Sequence, residues 1–121
     1  MAKYPPSTED MIRLAEAALA AIPPRLAVHV RGCAILVEDM PDEDVLKEMD
    51  IDDPWSLTGL YMPAGEIAHH PTTVLLYRLP ILLEWIETDV ELGRLVRNVV
   101  IHEIAHHFGF NDADIAALEA E

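Results

Sequence analysis

Apolar positions along the chain switch between a helical and a strand period, and each switch marks an expected element. Met11, Leu14, Ala15, Ala18, Leu19 and Ile22 return at intervals of three and four, so a helix is expected from a cap at Ser7 or Thr8 to a stop at Pro23-Pro24. Residues 25 to 31 read two ways: Leu26, Val28 and Val30 alternate as a strand does, while Pro24 equally opens a short helix closed by Gly32. Ala34-Ile35-Leu36-Val37 is a short β-branched strand ending at the acidic turn Glu38 to Asp42. A brief helix is expected from Asp42 or Glu43 to about Met49, followed by an exposed polar loop from Asp50 to Pro54.

Leu57 to Met62 and Thr72 to Tyr77 read as two strands, separated by a loop with Pro, Gly and His that suits a wide hairpin or an irregular connection. Pro80 is expected at the first position of a helix carrying Leu82, Leu83 and Trp85. From Asp89 the chain turns helical again. Leu92, Leu95, Val96, Val99, Val100, Ile101, Ile104, Ala105 and Phe108 cover most of that helix's circumference, the pattern of a central, mostly buried element. Gly109 ends it, and Asn111 caps a last short helix with Ile115 and Leu118. No internal repeat or low-complexity tract interrupts the series.

A length of 121 residues fits one domain spanning 1–121. With 51% hydrophobic and 25% charged residues the chain can build a packed interior. The net charge of −14 changes the picture more, because it repels phosphate backbones and anionic lipid, and the eight Lys and Arg form no patch. Neither nucleic acid nor a membrane surface is therefore an expected partner. One cysteine, Cys33, excludes an internal disulfide framework and suits a reducing compartment. The first residues lack the apolar segment of a secretory signal, and no stretch is long enough to span a bilayer, so a soluble cytoplasmic protein is expected. The oligomeric state is left open.

Candidate chemistry lies on the central helix. His102 and His106 are four apart, so both imidazoles leave one helix face about a turn apart and can reach one metal ion at ~2.0 Å each. Glu103, one residue on, stands beside the metal rather than on it, where it can take a proton from water. A catalytic zinc generally takes three protein ligands. Gly109, free to take positive φ, lets the chain fold back after His106 and bring Asp112 within reach. There the first turn of a helix favours an ionised carboxylate. Asp114, Glu119 or a loop histidine are the substitutes for that third ligand. The donor set of nitrogen and oxygen, without a thiolate cluster, points to Zn²⁺.

The full pattern, His-Glu-x-x-His-x-x-Gly-x-x-Asp from His102 to Asp112, resembles the bacterial minimal zincin-like zinc metallopeptidases. Its ligand spacing is similar to that of snapalysin-type and metzincin-like proteases with aspartate as third ligand. Chance placement of all five motif residues in a chain of this composition is on the order of one in ten thousand. The resemblance extends to Gly59-Leu60-Tyr61 and Leu75-Leu76-Tyr77-Arg78 and covers roughly residues 34 to 118. It implies an α+β fold, a zincin-like minimal domain whose small β-sheet packs on a central active-site helix with flanking helices, one edge strand bordering the cleft. It also implies peptide-bond hydrolysis with Glu103 as general base, on a peptide or protein substrate. The methionine-bearing turn of the larger metzincins has no counterpart, since no methionine follows Met62.

Other residues carry plainer expectations. His107 points away from the metal face; His69 and His70 are loop histidines that overhang the cleft or are simply solvated. Tyr61 and Tyr77 are candidates to stabilise an oxyanion or, more commonly for strand tyrosines, to pack. Met11, Trp55 and Trp85 read as packing residues. The acidic run from Glu38 to Asp53 reads as a solvated face whose oxygens hold calcium weakly at most. The substrate is expected to lie extended along an edge strand, Thr72 to Tyr77, gaining main-chain hydrogen bonds. The alternative class is a zinc-stabilised binding module that keeps this scaffold without turnover.

Overall fold

The computed structural model describes residues 4–30, 32–65 and 71–121. Along them run α1 (Thr8–Ala20), α2 (Pro24–Ala27), β1 (Ala34–Glu38), α3 (Glu43–Glu48), β2 (Gly59–Met62), β3 (Thr73–Tyr77), α4 (Arg78–Glu87), α5 (Leu92–His107) and α6 (Asp112–Glu119), with a 3₁₀ turn at Pro54–Ser56. Helices thus surround a three-stranded sheet, an α+β arrangement.

Local chemistry sets the helix starts. Ser7 caps α1 in a capping box, its hydroxyl accepting from Asp10 N at 3.1 Å while the Asp10 carboxylate accepts from Ser7 N at 2.9 Å. Asp42 caps α3 and Asn111 caps α6 by the same side-chain acceptance. The ambiguous segment takes the helical option over its first residues, with Pro24 at the first position of α2 (Pro24–Ala27). Pro80 falls at the third position of α4 rather than the first, because Tyr77 both ends β3 and serves as the helix N-cap. A first-turn N–H has no intrahelical partner, so proline is tolerated there.

The sheet order is β1-β3-β2, with β1 and β3 parallel and β2 and β3 antiparallel. This corrects the expectation that Thr72 to Tyr77 is an edge strand: β3 is the central strand, paired on both sides and buried at every position. Val74 and Leu76 face the main core, whereas Leu75 and Tyr77 face a second cluster with Leu57. A run without polar alternation is what a strand covered on both faces requires. The edges are β1 and β2.

α5 is the central element. It packs on α1, on α6 and on the sheet through β2 and β3. Val96, Val100, Ile101, Ile104 and Ala105 are fully buried in one core with Met11, Ala15 and Leu26. Each large aliphatic chain so placed contributes about 1.5–3 kcal/mol, which fixes the helix that carries the motif. Phe108, expected among the buried positions, is the C-cap and stays exposed, since the helix ends there. Trp85 packs half-buried on the core, whereas Trp55 is exposed. No helix among the described residues is long and apolar enough to cross a membrane.

Candidate metal centre and active-site cleft

The buried stripe of α5 leaves its other face open, and the motif lies on that boundary. His102 and His106 are exposed, with ring centroids 5.9 Å apart and planes inclined by only 5°. Two imidazoles on one tetrahedral ion stand about 5.3 Å apart between centroids, each with its plane turned toward the ion, so the two rings are near that spacing and reach it by side-chain rotation. Neither ring has a hydrogen-bond partner among the described residues, which leaves their nitrogens available as donors to a metal.

Glu103, on the adjoining side of the helix, turns inward toward β2. Burial pushes its carboxyl up to about 7, with no charged partner contributing to the shift. Its seat is made by Gly59 at the start of β2. A Cβ added there would meet Leu75 O at 3.0 Å, Val99 Cγ1 at 3.1 Å and Glu103 Cγ at 3.4 Å, so only glycine lets the strand lie this close to α5. This explains the glycine of the Gly59-Leu60-Tyr61 element, which the sequence pattern marked without a reason.

The chain reverses immediately after the second histidine. Gly109, at φ +84°, donates from its N–H to His106 O at 3.1 Å, and Phe110 N donates to Ala105 O at 3.0 Å. These two bonds form a Schellman motif and direct the chain into α6. Asp112 becomes the first residue of α6, exposed and in the first turn as expected. Among the described residues no group of three His, Cys, Asp or Glu side chains is assembled that could hold a metal ion. The structure thus pairs His102 with His106 on one helix face and sets Glu103 in the same cavity as His102, without assembling Asp112 with the two histidines. Of the substitute ligands, Glu119 lines the same cavity as His102 and Glu103, while Asp114 does not.

That cavity, about 360 Å³, lies over α5 between α4 and the end of α6. A larger one of about 450 Å³ lies over α3 and the loop after it and contains none of the motif residues. The cavity over α5 is the relevant one because it includes the buried glutamate.

The aromatic candidates separate. Tyr61 packs its ring on His107, centroids 4.1 Å apart, and edge-on to Phe108, which in turn stacks on His29 at 4.0 Å. His107 is therefore held by β2, away from its neighbour His106. Tyr77 is fully buried with its hydroxyl unpartnered among the described residues. Burial, then Glu38 and Asp42, push that hydroxyl up to about 12, and Tyr77 is not among the residues that line the cavity over α5. Arg78, the last residue of the strand motif, donates from Nε to Pro6 O at 2.8 Å and pairs with Asp39 at 3.4 Å, tying the start of α1 to the sheet. His69 and His70 lie outside the described residues. Sequence reasoning passed over Glu84 and Asn98, which line the cavity from α4 and α5; Asn98 sits one helical turn before His102, a spacing that marks it in retrospect.

No curated protein matches the chain in sequence. Residues 30–121 match the family model described as zincin-like metallopeptidase, a span that takes in the whole sheet, the motif helix and α6. The chain belongs to the zincin-like metallopeptidase family.

Proposed function

We propose that this protein is a zinc-dependent peptidase in which His102, His106 and Asp112 hold the metal and Glu103 is the general base. The observation that carries the reading is the pairing of two open imidazoles on one helix face with a largely buried carboxyl on the adjoining face of the same helix, beside a strand edge that has no partner among the described residues. Zinc supplies, when bound, Lewis acidity that polarises the scissile carbonyl and makes water a better acid. Glu103 takes the proton of the attacking water, and the resulting carboxylic acid returns it to the leaving amine as the C–N bond breaks. A base poised near neutrality suits both halves of that transfer.

The outer edge of β2, next to Glu103, takes the place first expected for Thr72 to Tyr77. An extended polypeptide laid along it gains main-chain hydrogen bonds and passes over α5. Neither nucleic acid nor a membrane is the partner, in keeping with a net charge of −14. The lone cysteine suits work in the cytoplasm.

Metal analysis combined with a peptide-library screen tests the proposal. One Zn²⁺ per chain is expected, with His102→Ala or His106→Ala abolishing tight binding and Asp112→Ala weakening it. Hydrolysis is expected to stop on chelation and return with zinc. Folded protein that holds no zinc after dialysis against it at neutral pH overturns the reading. Zinc affinity untouched by Asp112→Ala reassigns the third ligand.

A further inference from the structure

The face of α5 that bears the motif extends toward the helix's N-terminal end. Leu95, Asn98, Val99, His102 and Glu103 follow one another at helical spacing and form the floor of the 360 Å³ cavity, a volume at the lower end of ligand-sized sites. The cavity therefore begins at the proposed catalytic carboxyl and reaches about two turns away from it.

Its walls are of two kinds. Val90, Leu95 and Val99 give apolar surface, whereas Glu84 from α4 and Glu119 from α6 add carboxylates to that of Glu103. Among the described residues no lysine or arginine lines it. Glu84 and Glu119 make no side-chain hydrogen bond or ion pair among the described residues. The nearby Arg94 and Arg97 are spent on main-chain oxygens: both donate to Glu119 O, at 3.4 and 2.9 Å, and leave its carboxylate free. Asn98 also lines the cavity, and its buried Oδ1 has no partner among the described residues. The lining side chains thus offer carboxylate acceptors and apolar contact, and the two arginines beside Glu119 are already engaged with main-chain oxygens.

A long aliphatic stem with a cationic head answers both kinds of wall, because lysine and arginine bury their methylenes on apolar surface while the head seeks acceptors. An acidic side chain would face three carboxylates. An apolar one would take water from them and return no hydrogen bond. We propose that this cavity receives the lysine or arginine side chain of a polypeptide substrate, so that hydrolysis falls beside a basic residue. The proposal rests on the peptidase reading above, and the strongly negative charge of the whole chain steers cationic polypeptides toward it.

The test uses blocked peptides identical except for Lys, Arg, norleucine or Glu at each position flanking the centre, with two readouts. The first is kcat/KM for cleavage by the zinc-loaded protein. The second is Kd for Glu103→Gln, which retains the cavity walls of Glu84, Glu119 and Asn98. Basic peptides are expected to be cleaved and bound about tenfold better than the norleucine peptide. Glu84→Lys, at an exposed position of α4, is expected to remove or invert that ratio; Glu84→Gln, should the lysine variant misfold, is expected to reduce it. Cleavage without a basic preference, or with one indifferent to Glu84, overturns this proposal and leaves the peptidase standing. With no cleavage at all, a basic preference in Kd that Glu84→Lys removes supports the cavity while the peptidase reading falls. Equal Kd values overturn the cavity as well.

Discussion

The cavity over α3 and the cavity over α5 are both walled by carboxylates and are of comparable size, about 450 and 360 Å³. What stands behind the carboxylates differs. α3 buries none of its residues, and Glu43, Asp50 and Asp52 all face water, which screens their charge at no cost. α5 buries seven residues, and the same packing that fixes the helix holds Glu103 against β2, largely shielded from water. An acidic run on a surface is a solvated face; a single carboxyl pressed into a core boundary beside two histidines is a group whose protonation can be used.

The largest expected effect separates the two regions directly. Glu103→Gln is nearly isosteric and should keep fold and zinc, yet it removes the group that moves the proton. Loss of general acid-base help costs on the order of a hundredfold to ten-thousandfold in rate. Asp52→Asn, in the α3 cavity, should leave the rate within about twofold, as surface changes away from a site do. Single-turnover hydrolysis of the same peptide, with zinc measured on each preparation, makes the comparison; equal rates for wild type and Glu103→Gln would exclude the mechanism.

Next in size is a pH effect on the metal-free protein. Below about pH 4.5 Glu103 is protonated in both the folded and the unfolded chain. As pH rises the unfolded chain ionises first, so stability falls until the folded carboxyl has also ionised above about 7. A difference of that size corresponds to about 3 kcal/mol. Urea unfolding of metal-free wild type and Glu103→Gln across this range isolates the effect from the other acids. The wild type should lose up to about 3 kcal/mol relative to the variant on passing from pH 4 to pH 8, whereas Asp52→Asn should track the wild type. Parallel curves for wild type and Glu103→Gln would mean that the carboxyl is as well solvated as those of α3.

How far the sequence reached follows the same division. Local chemistry was legible: the caps at Ser7 and Asn111, the reversal at Gly109 and the buried stripe of α5 all depend on residues a few positions apart. Pairings between distant segments were not. β1 lies parallel to β3 across about forty intervening residues, and that makes β3 central. Its unbroken run Val74-Leu75-Leu76-Tyr77 carried the signal of burial on both faces, but a run says nothing of which strands flank it. Likewise Glu84 reaches the cleft only because α4 folds back beside α5, so no spacing in the sequence connects it to Glu103. Asp112 is the converse case, placed by sequence spacing in the first turn of α6, with its role resting on the proposed metal.

Gly59 offers a smaller, packing-based test of the contact between β2 and α5. Gly59→Ala puts a methyl 3.0 Å from Leu75 O, a main-chain atom that cannot rotate away, and 3.1 Å from Val99 Cγ1. Overpacking of this kind costs about 1–3 kcal/mol, read as a lowered unfolding midpoint. Because the strand must move off Glu103, the rate should fall as well, while zinc content stays near one per chain. An unchanged midpoint would show that β2 does not lie this close to the helix.

The smallest effect expected is at the reversal after the second histidine. Gly109 holds φ +84° with open space around it, so a methyl meets no neighbour and the cost of Gly109→Ala is backbone strain alone, about 1 kcal/mol. If that reversal is what delivers Asp112 to the metal, the strain is felt twice: a midpoint lowered slightly and zinc bound more weakly by a few-fold. Asn tolerates the left-handed region better than Ala, so Gly109→Asn should recover much of both losses. Thermal unfolding and competition with a chromogenic chelator read the two quantities on the same variants. A lowered midpoint with unaltered zinc affinity would detach the turn from the metal and move the third ligand to a residue that does not depend on it.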